Sequence, residues 1–112
     1  ILLGALGSHY FKRILSVEAL ESFEVGLRYL IYHGLALLLL SGISFKSPKE
    51  KKRIFYLILW GTLIFSGSIF LLSFKNLIPF SIAFLGPITP VGGMALILAW
   101  SLTTLSFFKK GN

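Results

Sequence analysis

The sequence predicts an all-α, polytopic membrane protein, a four-transmembrane-helix bundle formed by residues 1–112 as a single integral membrane domain. Three observations predict it. Residues 54–74 are an unbroken run of 21 uncharged residues, and about 20 helical residues cross the hydrocarbon core of a bilayer. Residues 29–45 and 76–108 also lack Asp, Glu, Lys and Arg. The composition agrees: 55% of residues are hydrophobic, the mean hydropathy is +0.85 and 13% are charged, where a soluble domain carries about 25%.

The first helix is expected over residues 1–9. The apolar run at 1–7 is too short to span alone, so it reads as the end of a truncated transmembrane helix whose start lies upstream. A cleaved signal peptide would need a small-residue cleavage site, and none can be placed here. Residues 9–13, His-Tyr-Phe-Lys-Arg, mix aromatic and basic side chains as the lipid–water boundary favours.

The second helix is expected over residues 17–45. Ser16 is its N-cap, and Glu18 complements the dipole in the first turn. Such a helix would be roughly 43 Å long, more than the ~30 Å core. Its start, with Glu18, Glu21, Glu24 and Arg28, should therefore protrude or lie along the interface. Residues 46–53 read as a basic loop in which Pro48 stops the second helix, and the third helix as 54–74.

Residues 77–89 are apolar but broken by Pro79 and by Gly86-Pro87, which indicates a short interfacial or re-entrant segment. Thr89 is expected to cap the fourth helix, 90–108, with Pro90 at its first position, where a missing N–H costs nothing. Lys109 and Lys110 would anchor its end.

Basic residues orient the chain. With four crossings, Lys46, Lys49, Lys51, Lys52, Arg53, Lys109 and Lys110 share one side, against Lys12, Arg13, Arg28 and Lys75 on the other. Seven against four favours cytoplasmic termini in a bacterial inner membrane. The net charge of +7 is thereby explained by topology, and nucleic acid is not an expected partner. The absence of Cys removes disulfides and thiolate chemistry.

Glu24, Arg28 and Tyr32 fall on one helical stripe, with Glu24 and Arg28 in the favourable i, i+4 order for a pair. That pair would neutralise Arg28 as the helix enters lipid. Ionisable residues at membrane depth are also functional candidates. His33 lies about 180° around the helix from Glu24 and should meet another helix through a hydrogen bond. His9 and His33 are the two histidines. With neither Cys nor Asp beside them they form a poor metal set, so no metal or cofactor is expected.

Small residues supply the packing faces. On the fourth helix these are Gly92, Ala95, Ala99, Thr103 and Ser106. On the third they are Thr62, Ser66 and Ser73, with Gly61 and Ser68 beside them. Packing inside the bundle is the simplest use for them. No nucleophile stands beside a base, and Gly92-Gly93 follows no strand, so neither an enzyme nor a nucleotide site is expected.

Four segments together, GALGSH at 4–9, FEVGLRYLIYH at 23–33, FSGS at 65–68 and GPITPVGG at 86–93, resemble domain-of-unknown-function family 423. This is also uncharacterised protein family 0382, small integral membrane proteins related to transmembrane protein 256. The resemblance covers nearly the whole chain. It implies four membrane helices and no established activity. The positions carried over are His9, Glu24, Arg28, Tyr32, His33, Ser66, Thr89, Pro90, Gly92 and Gly93, while Ser8 stands where the family commonly has Ala.

The functional expectation is a structural or accessory membrane protein. It is surrounded by membrane lipids and packs against itself or against other membrane subunits through the small faces of the third and fourth helices. The alternative is a small transporter or channel component with His9, Glu24, Arg28 and His33 as its polar site.

Overall fold

The structure, a computed structural model, describes residues 1–45 and 47–111, with side chains through Phe108. The anchoring expected of Lys46, Lys109 and Lys110 lies outside those side chains. The described residues form helices and connecting turns, with no strand among them.

The N-terminal helix α1 (Leu2–Leu6) passes into a π-helical stretch, Gly7–Phe11, and then into the single turn α2 (Lys12–Ile14). It is therefore longer than the expected 1–9 and places His9 inside the helix. The extended conformation of Leu15 ends it.

Helix α3 (Val17–Ser41) begins as expected, with the Ser16 hydroxyl accepting from the Ala19 N–H at 3.1 Å. It stops at Ser41, short of the expected 45. Gly42 is its C-cap, and Lys51 Nζ donates to the carbonyls of Ser41 (3.2 Å) and, just beyond the helix, Ile43 (2.6 Å), as basic side chains do near helix C-termini.

Helix α4 (Pro48–Ser73) corrects the loop expected at 46–53. Pro48 starts this helix; it does not end the previous one. Ser47 is the cap, accepting from Glu50 N–H at 3.3 Å, and Pro48 occupies the first turn, where its fixed φ suits a helix. Lys49, Lys51, Lys52 and Arg53 thus ride on helical turns.

The broken segment is present as two 3-10 turns, Lys75–Leu77 and Ala83–Leu85. Helix α5 (Ile88–Gly111) begins before the expected 90. Thr89 is not its cap. It lies inside the first turn, its hydroxyl 3.2 Å from the Leu85 carbonyl. Pro90 remains compatible because the first turn lacks helical N–H partners.

Helices α3, α4 and the stretch that includes α5 are long and apolar enough to cross a membrane. Helix α4 is the central one, packed along its length by α3 on one side and α5 on the other. The molecule is flat, 53 × 28 × 17 Å. At the end holding the basic turns, Leu40, Ile54, Ile58 and Ala99 form the core. At the opposite end an aromatic cluster joins three elements. Phe11 lies edge-on to Phe23 (5.2 Å) and Phe74 (4.9 Å), and Phe23 packs on Phe70 (5.1 Å). Helix α1 is thereby held on α3, with Gly4 facing Leu27 and Gly7 facing Phe23.

Many large apolar side chains remain outside, among them Leu38, Leu39, Trp60, Met94 and Ile97. An exterior of this kind fits lipid as its solvent, because apolar side chains need no partner there and the helices satisfy their own backbone polar groups.

Candidate functional site

Polar side chains at membrane depth form a belt of bonds between helices. His33, on α3, is 6% exposed. Its Nδ1 lies 2.8 Å from the Tyr29 carbonyl, and its Nε2 accepts from Trp100 Nε1–H on α5 at 3.1 Å. The two bonds together assign the proton to Nδ1, because a carbonyl accepts only from N–H and the indole nitrogen is donor-only. Tyr29 stacks on the imidazole (5.8 Å, 12°) and meets Phe65 of α4 edge-on (4.8 Å). His33 therefore meets another helix, as its position on α3 predicted.

Two further bonds tie α4 to its neighbours. Ser66 donates to the carbonyl of Gly26 on α3 at 2.8 Å, and Ser68 and Thr89 share a bond of 2.6 Å. The glycines make these approaches possible. A Cβ on Gly26 would lie 2.9 Å from the Phe70 ring, and one on Gly92 would lie 2.5 Å from the Phe65 backbone nitrogen. Ala95 faces Gly61, and Ala99 is fully buried. Ser66, Thr89, Gly92, Ala95 and Ala99 thus hold helices together. Pro90 is exposed, and a Cβ on Gly93 would meet nothing within 4 Å. These two lie off the α5 stripe that meets α4 and border the space between α5 and α3.

The other candidates do not converge. Glu24, Arg28 and Tyr32 are exposed on α3, and among the described residues no ion pair joins Glu24 to Arg28. The expected pair is therefore absent. Tyr29 meets Phe65, nine residues before Phe74, which puts Arg28 on the order of 10 Å below that end of the span. Its Cβ leans toward the helix start, so the guanidinium can reach the interface without a partner. His9 is exposed near the Phe23 level, and His33 lies ten residues further along α3, roughly 15 Å away. Among the described residues no three His, Asp or Glu side chains gather as metal ligands would.

Two cavities lie between α3 and α5, above α4. A polar one of about 710 Å³ opens at the end away from the basic turns, bounded by Ser22, Ser73, Thr89 and the charged Glu18 and Lys75. An apolar one of about 510 Å³ is bounded by Tyr29, Phe65, Gly93, Ile97 and the His33–Trp100 pair.

The profile of a protein of unknown function (DUF423) matches residues 3–93. The chain belongs to the DUF423 family. Its relatives include a UPF0382 membrane protein of Staphylococcus saprophyticus, 33% identical over 106 residues, covering 95% of this chain and 84% of the relative. The UPF0382 membrane protein YwdK of Bacillus subtilis is 32% identical, covering 96% and 85%. A UPF0382 membrane protein of Haemophilus influenzae is 31% identical, covering 98% and 85%. No solved structure matches. This DUF423 chain is accordingly an all-α membrane protein, as its composition and its three long helices require.

Sequence reasoning missed Trp100, the partner of His33. A signal was available. His33 lies eight residues before Ser41 and Trp100 eight before Phe108, so the two sit at similar depth. An indole N–H at that depth requires an acceptor.

Proposed function

We propose that this DUF423 protein is a non-enzymatic accessory subunit of the bacterial inner membrane, with the basic turns of α4 and the C-terminus in the cytoplasm. It docks on another membrane subunit, or on a second copy, through the outer face of α3. One observation carries the reading: Glu24, Arg28 and Tyr32 form an outward stripe one turn apart, free of the bonds that occupy His33, Ser66 and Ser68. The excess of basic residues on one side supports the orientation. The small faces of α4 and α5, first expected to dock a partner, are filled by each other. The transporter reading is less favoured, since His33 is bonded to Trp100 and lies away from His9, Glu24 and Arg28, and the broken segment 77–89 is what still supports it.

Photocrosslinking from position 32 in native membranes tests this. A benzophenone amino acid in place of Tyr32 is expected to give one dominant protein adduct, and Arg28→Glu is expected to weaken it. An adduct of twice the chain mass identifies self-association, and another single mass identifies a different subunit. Reaction with lipid alone would overturn the proposal.

A further inference from the structure

The two cavities between α3 and α5 adjoin, and we infer that they act as one groove. Their boundaries are one turn apart on α4, at Phe65 and Ile69, and one turn apart on α5, at Thr89 and Gly93. On α3 they are two turns apart, at Ser22 and Tyr29, positions that share a helix face. Deeper in, the His33–Trp100 bond bridges α3 to α5, and the lining continues one turn past it to Ser101 and Thr104. The groove is therefore polar at its mouth, mainly apolar along its length and crossed by a bridge at Trp100.

The distance from mouth to bridge has a natural counterpart. Thr89 at the mouth and Trp100 at the bridge are eleven residues apart, roughly 16 Å along the helix. One leaflet of the hydrocarbon core is about 15 Å, half of the ~30 Å span. An acyl chain entering at the mouth would run alongside Gly93 and Ile97 and reach the indole of Trp100. Gly93, which makes no helix contact, keeps this wall open.

The mouth selects the headgroup. Glu18 and Lys75 both border it, and among the described residues neither forms an ion pair. One fixed carboxylate and one fixed ammonium complement a headgroup that carries both an anion and a cation. A phosphate would face Lys75 and Asn76, and a primary ammonium would face Glu18 and the Ser22 hydroxyl. A quaternary ammonium has no N–H to donate, and a glycerol headgroup has no cation.

We propose that this groove binds an aminophospholipid of the phosphatidylethanolamine type, in the leaflet opposite the basic turns of α4. The site is separate from the outer α3 stripe and does not depend on a docking partner.

Trp100 reports on its occupancy. The chain has two tryptophans, and Trp60→Phe leaves Trp100 alone. This variant is reconstituted into phosphatidylcholine vesicles containing a minor fraction of brominated-chain phosphatidylethanolamine, phosphatidylglycerol or phosphatidylcholine. The ethanolamine lipid is expected to quench Trp100 with about fivefold higher apparent affinity than either other lipid, the scale of one interfacial charge contact. Glu18→Gln with Lys75→Gln is expected to remove the preference. Gly93→Leu, which fills the groove, should remove it too, while Gly67→Leu, equally free of helix contacts, should keep it. Equal quenching by the three lipids, preference for phosphatidylglycerol, or a preference that survives the Glu18/Lys75 double substitution would each overturn the assignment. Circular dichroism of each variant confirms that the helices remain.

Discussion

Gly92→Ala is expected to destabilise the protein by about 3 kcal/mol, the upper range for forcing an extra methyl into a packed core. Gly93→Ala, one residue along, is expected to be neutral or to stabilise by up to ~1 kcal/mol, the helix-propensity gain of Ala over Gly. The opposite signs follow from what each new Cβ meets. At Gly92 it would lie 2.5 Å from Phe65 N, 2.9 Å from Phe65 Cα and 2.9 Å from the Gly61 carbonyl oxygen. All three are backbone atoms of α4, so no side-chain rotation relieves the overlap. The helices would have to separate, which would also strain the Ser68–Thr89 bond and the contact of Gly61 with Ala95 and Leu96. At Gly93 the new methyl points into the groove. Denaturant unfolding in mixed micelles, followed by circular dichroism, measures both variants. Equal stabilities would mean that α4 and α5 do not cross at Gly92.

How much of this was legible in the sequence depends on which interaction sets each feature. Membrane residence and helix count follow from charge-free runs, because transfer into lipid is governed by composition over some twenty residues. The packing role of Ser66, Gly92, Ala95 and Ala99 was also readable, since small residues repeating on one face permit close approach. Helix ends were less legible. Pro48 reads equally as a stop for the preceding helix or a first-turn residue of the next, and the Ser47 cap decides between them only once the backbone is in place. The end of α3 at the Gly42 cap is joined by Lys51, ten residues beyond Ser41, reaching back across a turn. Glu24 and Arg28 have the spacing of a pair, but spacing leaves each long side chain free to turn toward solvent. The Trp100 bond was hidden because it joins residues 67 apart. The groove was hidden for a related reason: it arises from the divergence of α3 and α5 on either side of α4, which no local pattern encodes.

The other large effect concerns the bond that bridges the groove. Trp100→Phe keeps the aromatic bulk but removes the N–H that His33 Nε2 accepts. Its expected cost is about 1–2 kcal/mol, the range for one polar bond between membrane helices. His33→Ala should cost more, since it also removes the ring stacked on Tyr29. A double-mutant cycle separates the bond from the packing. If the two side chains act on each other, the coupling energy should be on the order of 1 kcal/mol, and the double variant should be more stable than the summed single costs predict. Nitrogen NMR supplies a readout that packing alone would not move. The His33 ring should show its proton on Nδ1, held by the Tyr29 carbonyl, with Nε2 bare and hydrogen-bonded. In Trp100→Phe the Nε2 resonance should shift toward that of an unbonded nitrogen while Nδ1 stays put. Coupling near zero together with an unchanged Nε2 resonance would show that α3 and α5 are not joined there. The groove would then lack the bridge that crosses it one leaflet's depth from its mouth.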